Sequence, residues 1–192
     1  MSKLLLKGGM VVSPKGIKKA DVLISGEKIV AVGKRLSADA SEVNVSGKLL
    51  FPGFIDAHTH FDLEVSDTVT ADGFESGTRS AIAGGVTTVV DFATQNKGER
   101  LSDALNNWHV KAFAKSSCDY AFHMAISDWR EDVKCELVGM FEQGVSSFKV
   151  YMIYDAMELS DREIYEIMTE LKKFGGIVGC HCENSGIVGK LR

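Results

Sequence analysis

Gly53-Phe54-Ile55-Asp56-Ala57-His58-Thr59-His60 divides the chain into two rhythms. Before it, short apolar runs are broken every few residues by Gly, Pro or Ser. Lys3 to Lys7 and Met10 to Val12 read as strands, followed by a turn at Ser13-Pro14-Lys15-Gly16. Asp21 to Val32 reads as a hairpin turning at Ser25-Gly26-Glu27-Lys28, and Val43 to Val45 and Lys48 to Phe51 add strand. No helix-length apolar periodicity precedes residue 70. Residues 1–51 are expected to form a small β domain.

After it, strands and helices alternate. Phe54 to His58 is an apolar run ending in polar residues. Gly73 to Ala83 has helical spacing and stops at Gly84-Gly85, and Val86 to Phe92 is a β-branched strand. Ser102 offers an N-cap for a helix over Asp103 to Ala114. A strand over Tyr120 to Ile126, a helix over Glu131 to Gln143 and a strand over Ser146 to Tyr151 follow. Ser160 and Glu163 form a capping box for a helix reaching Phe174. Ile177 to His181 is a fifth strand, and Asn184 to Arg192 reads as a loop entering a helix. This order predicts a parallel sheet over residues 52–192. No G-x-G-x-x-G follows a strand, which argues against a dinucleotide-binding unit. A doubly wound sheet and a (β/α)8 barrel both fit. A barrel takes about 250 residues and only about 140 follow the β domain, so a barrel would be incomplete here.

The chain is 45% hydrophobic and 25% charged, enough apolar residue for a sizeable core, with a net charge of -4. That mild acidity gives no electrostatic case for nucleic acid or an anionic membrane. The apolar run near the N-terminus is too short for a signal peptide, and no run approaches the roughly 20 apolar residues of a membrane helix. A cytoplasmic protein is the simplest expectation. The four cysteines, Cys118, Cys135, Cys180 and Cys182, lack zinc-finger spacing and are read as reduced. A thiolate metal site at Cys180 and Cys182 is the alternative, weakened because strand alternation turns both thiols away from His181.

Polar residues recur where strands end: His58 and His60, Asp91, His123, Lys149 and His181. In parallel α/β folds the active site lies at the carboxyl ends of the strands, so these residues are expected to converge. His58 and His60 are two apart on a strand and share a face, as a metal clamp requires. The same spacing also arises by chance. Asp56 lies on that face and is a candidate to support the pair. Lys149, in an otherwise apolar strand, is either an ion-paired or snorkelling lysine or an amine that takes up carbon dioxide as a carbamate. His181 reads as a core histidine or a ligand. His109, beside Trp108, reads as helix packing, and a structural role is favoured for His123.

The stretch Phe51 to His60 resembles the first-strand signature of the amidohydrolase superfamily. Within it, the chain is most similar to the dihydropyrimidinase/hydantoinase family. Gly77 to Thr88, Ser147 to Tyr154 and His181-Cys182-Glu183-Asn184 carry the rest of the likeness, in the right order along the whole chain. The resemblance implies the N-terminal portion of a metal-dependent hydrolase (β/α)8 barrel, preceded by part of a small β-sandwich. It implies two divalent metal ions, zinc in most members. His58 and His60 would hold the first, a carboxylated Lys149 would bridge both, and His181 would hold the second. Tyr154 would hydrogen-bond substrate and the developing oxyanion. A water acidified between the metals would open a cyclic imide or hydantoin to an N-carbamoyl amino acid. A homo-dimer or homo-tetramer is implied for the full-length protein.

The likeness also marks what is missing. A further histidine ligand and a catalytic aspartate come from later strands in the family, and Asp91 does not match that aspartate. The chain is therefore expected to be the incomplete, inactive N-terminal half of a longer enzyme. Two rivals stand beside this reading. One is an allantoinase or dihydroorotase-like cyclic amidase, against which the continuation Phe61-Asp62-Leu63-Glu64 speaks. The other is a non-catalytic scaffold of the same fold, against which the presence of His58, His60, Lys149 and His181 speaks.

Overall fold

In a computed structural model, which describes residues 2–65 and 67–191, the chain divides into two compact units, Met1–Phe54 and Ile55–Arg192. The sequence rhythm had placed the boundary after residue 51.

The first unit contains β1 (Lys3–Ser13), β2 (Gly16–Ser25), β3 (Lys28–Gly33), β4 (Ser41–Asn44) and β5 (Leu49–Leu50). They form one sheet in the order β3-β2-β1-β4, with β5 also pairing β1. The two strands expected at the N-terminus are one. The pairing of β1 with β2 shifts register between Leu6 and Gly9, a bulge that breaks the apolar pattern without breaking the strand. Gly8 sits there at φ +79°, and its N–H donates to Asp21 Oδ1 at 2.8 Å. The Leu36 N–H donates to Asp21 Oδ2 at 3.0 Å. The bond from Gly8 leads the effects that hold this carboxyl below the ordinary value. Leu5, Ala20, Val22 and Val45 are buried around it.

The second unit begins with β6 (Phe54–Thr59). A small hairpin of β7 (Glu64–Val65) and β8 (Thr68–Val69) follows, too short to leave a sequence signal. Then come α1 (Phe74–Ala83), β9 (Val86–Thr94), α2 (Leu101–Ala112), β10 (Asp119–Ala125) and α3 (Glu131–Glu142). The unit closes with β11 (Ser147–Tyr151), α4 (Asp161–Lys172), β12 (Ile177–His181) and α5 (Ser185–Leu191). The main sheet runs β12-β11-β10-β9-β6, and β9 to β12 pair in parallel. One face is covered by helices. Its core joins Ala93, Phe122, Met124, Phe148 and Val150 from strands to Leu105, Trp108, Leu137, Ile167 and Leu171 from helices.

Helix starts show how local and distant signals compete. Ser160 makes the expected capping box, accepting from the Glu163 N–H while Glu163 accepts from the Ser160 N–H. Ser102 does not cap α2. That helix begins at Leu101, with Arg100 at the cap position and no side-chain cap. Glu136 of α3 takes over, accepting from the Ser102 N–H at 3.0 Å and pairing with Arg100 at 3.2 Å. The start of α1 is likewise served from a distance, because Asp62 Oδ2 accepts from the Phe74 N–H at 2.9 Å. Gly73 permits that approach, since a Cβ there would lie 2.6 Å from Asp62 Oδ1.

Candidate metal centre

Strand alternation sorts every candidate to one side of the sheet or the other. Thr59, Asp91, Phe122, Phe148, Val150 and Cys180 face the helices, while His58, His60, Phe92, His123, Lys149, Tyr151 and His181 face the opposite side.

His58 and His60 meet there. Their Nε2 atoms are 3.2 Å apart, and the rings stand at 86° with centroids separated by 5.0 Å. Two imidazole nitrogens each about 2.0–2.1 Å from a tetrahedral ion lie about 3.3 Å from each other, so the pair has the spacing of two ligands on one metal. The Phe92 ring packs against both, at 4.7 and 4.9 Å. Burial pushes the His60 imidazole below its ordinary value; Asp91 opposes this, and the charges of His58 and Lys149 assist it. The net direction favours the neutral ring that binds metals. His60 Nδ1 is buried without a hydrogen-bond partner. Asp56 supports the pair modestly, its Oδ1 accepting from the His58 N–H at 3.2 Å.

Lys149 stands in the middle of this face. With His58, Phe92, His123, Ser147 and Gly179 it lines a concavity of about 210 Å³, and its Nζ lies 5.4 Å from the centre of the Tyr151 ring. His181, on β12, is engaged elsewhere. Its Nε2 is 2.8 Å from Glu183 Oε2 and 3.3 Å from the Tyr154 hydroxyl, and its ring stacks on Tyr151 at 5.8 Å. Tyr154 holds φ +80°, an uncommon backbone for a bulky residue, and its carbonyl accepts from the N–H groups of Met157 and Glu158, each at 2.7 Å. Among the described residues, no three His, Cys, Asp or Glu side chains form a group that could hold a metal. The structure joins His58 to His60 and His181 to Tyr154, with Lys149 on the strand beside His181.

Three expectations need correction or closure. Asp91 does not converge with the other polar residues. It is 1% exposed, on the helix-covered face, and accepts from Thr59, Phe61, Phe92 and Trp108. His123 is a bridge: Nε2 meets the Ala57 carbonyl at 3.0 Å and Nδ1 meets Ser147 Oγ at 2.5 Å. A carbonyl only accepts, so Nε2 carries a proton and donates it to Ala57. His109 packs edge-on against Phe122 at 5.0 Å, as helix packing predicts.

All four cysteines are free. Burial first, then Cys182, pushes the Cys180 thiol up to about 11, away from the thiolate a metal needs. Sequence reasoning missed Phe92 and Thr59. The first is lost in an apolar run. The second sits between the two histidines, and its partner 32 residues on is invisible without the fold.

A parallel sheet with helices on one face and a paired-imidazole clamp at the end of its first strand is the plan of a metal-dependent hydrolase barrel. The chain belongs to the amidohydrolase family, a metal-dependent family whose model matches residues 49–190. It is 42% identical, over 97% of its length, to a D-hydantoinase of Geobacillus stearothermophilus, of which it covers 40%. Against a dihydropyrimidinase of Rattus norvegicus it is 36% identical over 97% of its length, covering 37% of that protein. The crystal structure of dihydropyrimidinase from Brevibacillus agri NCHU1002 superposes with a TM-score of 0.96 at 40% identity, over 98% of this chain and 42% of that one. The fold is thus the N-terminal portion of a (β/α)8 barrel, preceded by part of a small β-sandwich. The chain spans about 40% of the length of the curated relatives it matches.

Proposed function

We propose that this chain supplies the first part of a two-metal site in an enzyme that opens cyclic amide and imide rings, converting a dihydropyrimidine or hydantoin to an N-carbamoyl amino acid. The observation that carries the reading is the 3.2 Å approach of His58 Nε2 to His60 Nε2 at a strand end. In this reading the pair would hold one divalent ion, His181 would hold a second, and Lys149, as its carbamate, would serve both. Bound zinc ions supply an acidified water and a Lewis acid for the carbonyl.

The chain's own residues prepare that chemistry. Phe92 closes one side of the imidazole pair against water. His181, whose Nε2 here meets Glu183, would hold the second ion, and Tyr154, 3.3 Å from His181, is placed to donate its hydroxyl proton toward a substrate oxygen. Cytoplasmic placement, and assembly of the full-length enzyme as a dimer or tetramer, belong to the same reading. Among the described residues no helix is long and apolar enough to cross a membrane.

The deciding experiment is an assay of the intact gene product, zinc-loaded, with dihydrouracil, hydantoin and allantoin. Ring opening of either of the first two is the expected result. Opening of allantoin alone transfers the chain to the allantoinase-like rival, and opening of none sinks the cyclic-amidase reading.

A further inference from the structure

Asp91 is a buried carboxylate that the proposed chemistry does not use. It stands on the far side of the sheet from the imidazoles, yet its bonds run to the chain that carries them. Oδ2 accepts from Thr59 Oγ1 at 2.8 Å and from the Phe61 N–H at 2.9 Å. Thr59 lies between His58 and His60, and Phe61 follows His60. Oδ1 accepts from the Phe92 N–H at 2.8 Å and from Trp108 Nε1 at 3.1 Å. Phe92, the next residue, faces the other way and lies under both imidazole rings.

All four partners are donors, so the site asks for a group that only accepts. An ionised carboxylate does this with both oxygens. Asparagine cannot: whichever way its amide is turned, the NH2 meets a backbone N–H that has no acceptor to offer. Burial pushes the Asp91 carboxyl above its ordinary value, against the pull of these four bonds. The site therefore keeps a group that burial alone would disfavour.

We propose that Asp91 is a positioning residue for the metal clamp. It ties the Thr59 side chain and the Phe61 backbone, on either side of His60, to the helix-covered face, fixing the parity that sends His58 and His60 together to the opposite face. The Asp91-Phe92 pair thus grips the clamp from behind with a carboxylate and from in front with a ring. This inference rests on the metal-clamp reading of the pair.

The test compares Asp91→Asn with Asp21→Asn in this chain. Asp21 is also a buried carboxylate that accepts from two backbone N–H groups, but it lies in the other unit and serves β1. Two readouts are used: the side-chain nitrogen NMR signals of the histidines, and Co2+ titration followed by visible absorption. The histidine signals report positioning whether or not cobalt binds, so failure of the positioning and failure of the metal reading are separable.

The expected result is that Asp91→Asn shifts or broadens the His58 and His60 signals while sparing His181, and weakens Co2+ binding about 10- to 100-fold. Asp21→Asn lowers the melting temperature and moves neither readout. If Asp91→Asn does not fold, Thr59→Val carries the test, because it removes a single donor to Oδ2 at constant shape. Unmoved His58 and His60 signals in the folded variant overturn the proposal. Moved signals in the variant, with no cobalt binding by the unsubstituted chain, keep the positioning and overturn the clamp.

Discussion

On its helix-covered face β9 presents Val89, Asp91 and Ala93; one residue along, on the opposite face, the same strand presents Phe92 to three imidazoles. β11 repeats the contrast, with Phe148 and Val150 in the core and Ser147, Lys149 and Tyr151 on the other side. The helix-covered face is where folding free energy is made. The opposite face is where His58, His60, His123 and the Lys149 amine are displayed. Packing on the first is what allows the second to hold polar groups in register, since a strand pinned on one side has no freedom to slip on the other.

The largest expected effect separates the two faces by stability. Phe74 is fully buried among Phe61, Tyr120 and Phe122, and Phe74→Ala should cost about 3–5 kcal/mol in urea unfolding. Gly77→Ala probes the same face by overfilling it. A Cβ there would lie 2.2 Å from the Phe61 ring, and a loss of about 1–3 kcal/mol is expected by the same measurement.

Tyr151 sharpens the comparison, a buried tyrosine on the face that carries the histidines. Burial pushes it up to about 12, above the ordinary tyrosine value, with Tyr154 adding to the effect. A raised acid keeps its proton longer when folded. Its stabilising contribution is whole below pH 10 and is lost as pH rises toward 12. Ultraviolet titration should show Tyr151 ionising above the ordinary tyrosine range, and Tyr151→Phe should flatten the alkaline fall in stability.

Ser160→Ala removes the capping box of α4 and should cost about 1 kcal/mol in thermal unfolding. Smallest on stability is His58→Ala. The side chain is exposed, so a change within about 0.5 kcal/mol is expected. Zinc retained after dialysis should nevertheless be lost. A large destabilisation by His58→Ala would break the division of labour between the faces.

The contrast between faces also explains what could be read from sequence. The β/α alternation, the capping box at Ser160 and the shared face of His58 and His60 follow from short-range pattern, and the fold bears them out. The facing of Asp91 was not legible. A parallel strand buried on both sides is apolar throughout, and Val86 to Phe92 gives no alternation to say which parity points where. Ser102 misled for a related reason. A cap is a local bond, and Glu136 won it from another helix. The approach of His181 to Tyr154 and Glu183 could be placed only at a common strand end, because the turn that brings Tyr154 back depends on a backbone angle no propensity announces.

That angle has its own consequence. At φ +80° glycine is at ease and a bulky side chain costs on the order of 1–3 kcal/mol. Selection for thermal robustness alone would place glycine at 154. A random library screened only for heat resistance should therefore return Tyr154→Gly as an improvement, while, on the proposed role of Tyr154, a screen of the intact enzyme for ring opening should discard it. On that proposal the residue marks a point where durability and usefulness pull in opposite directions.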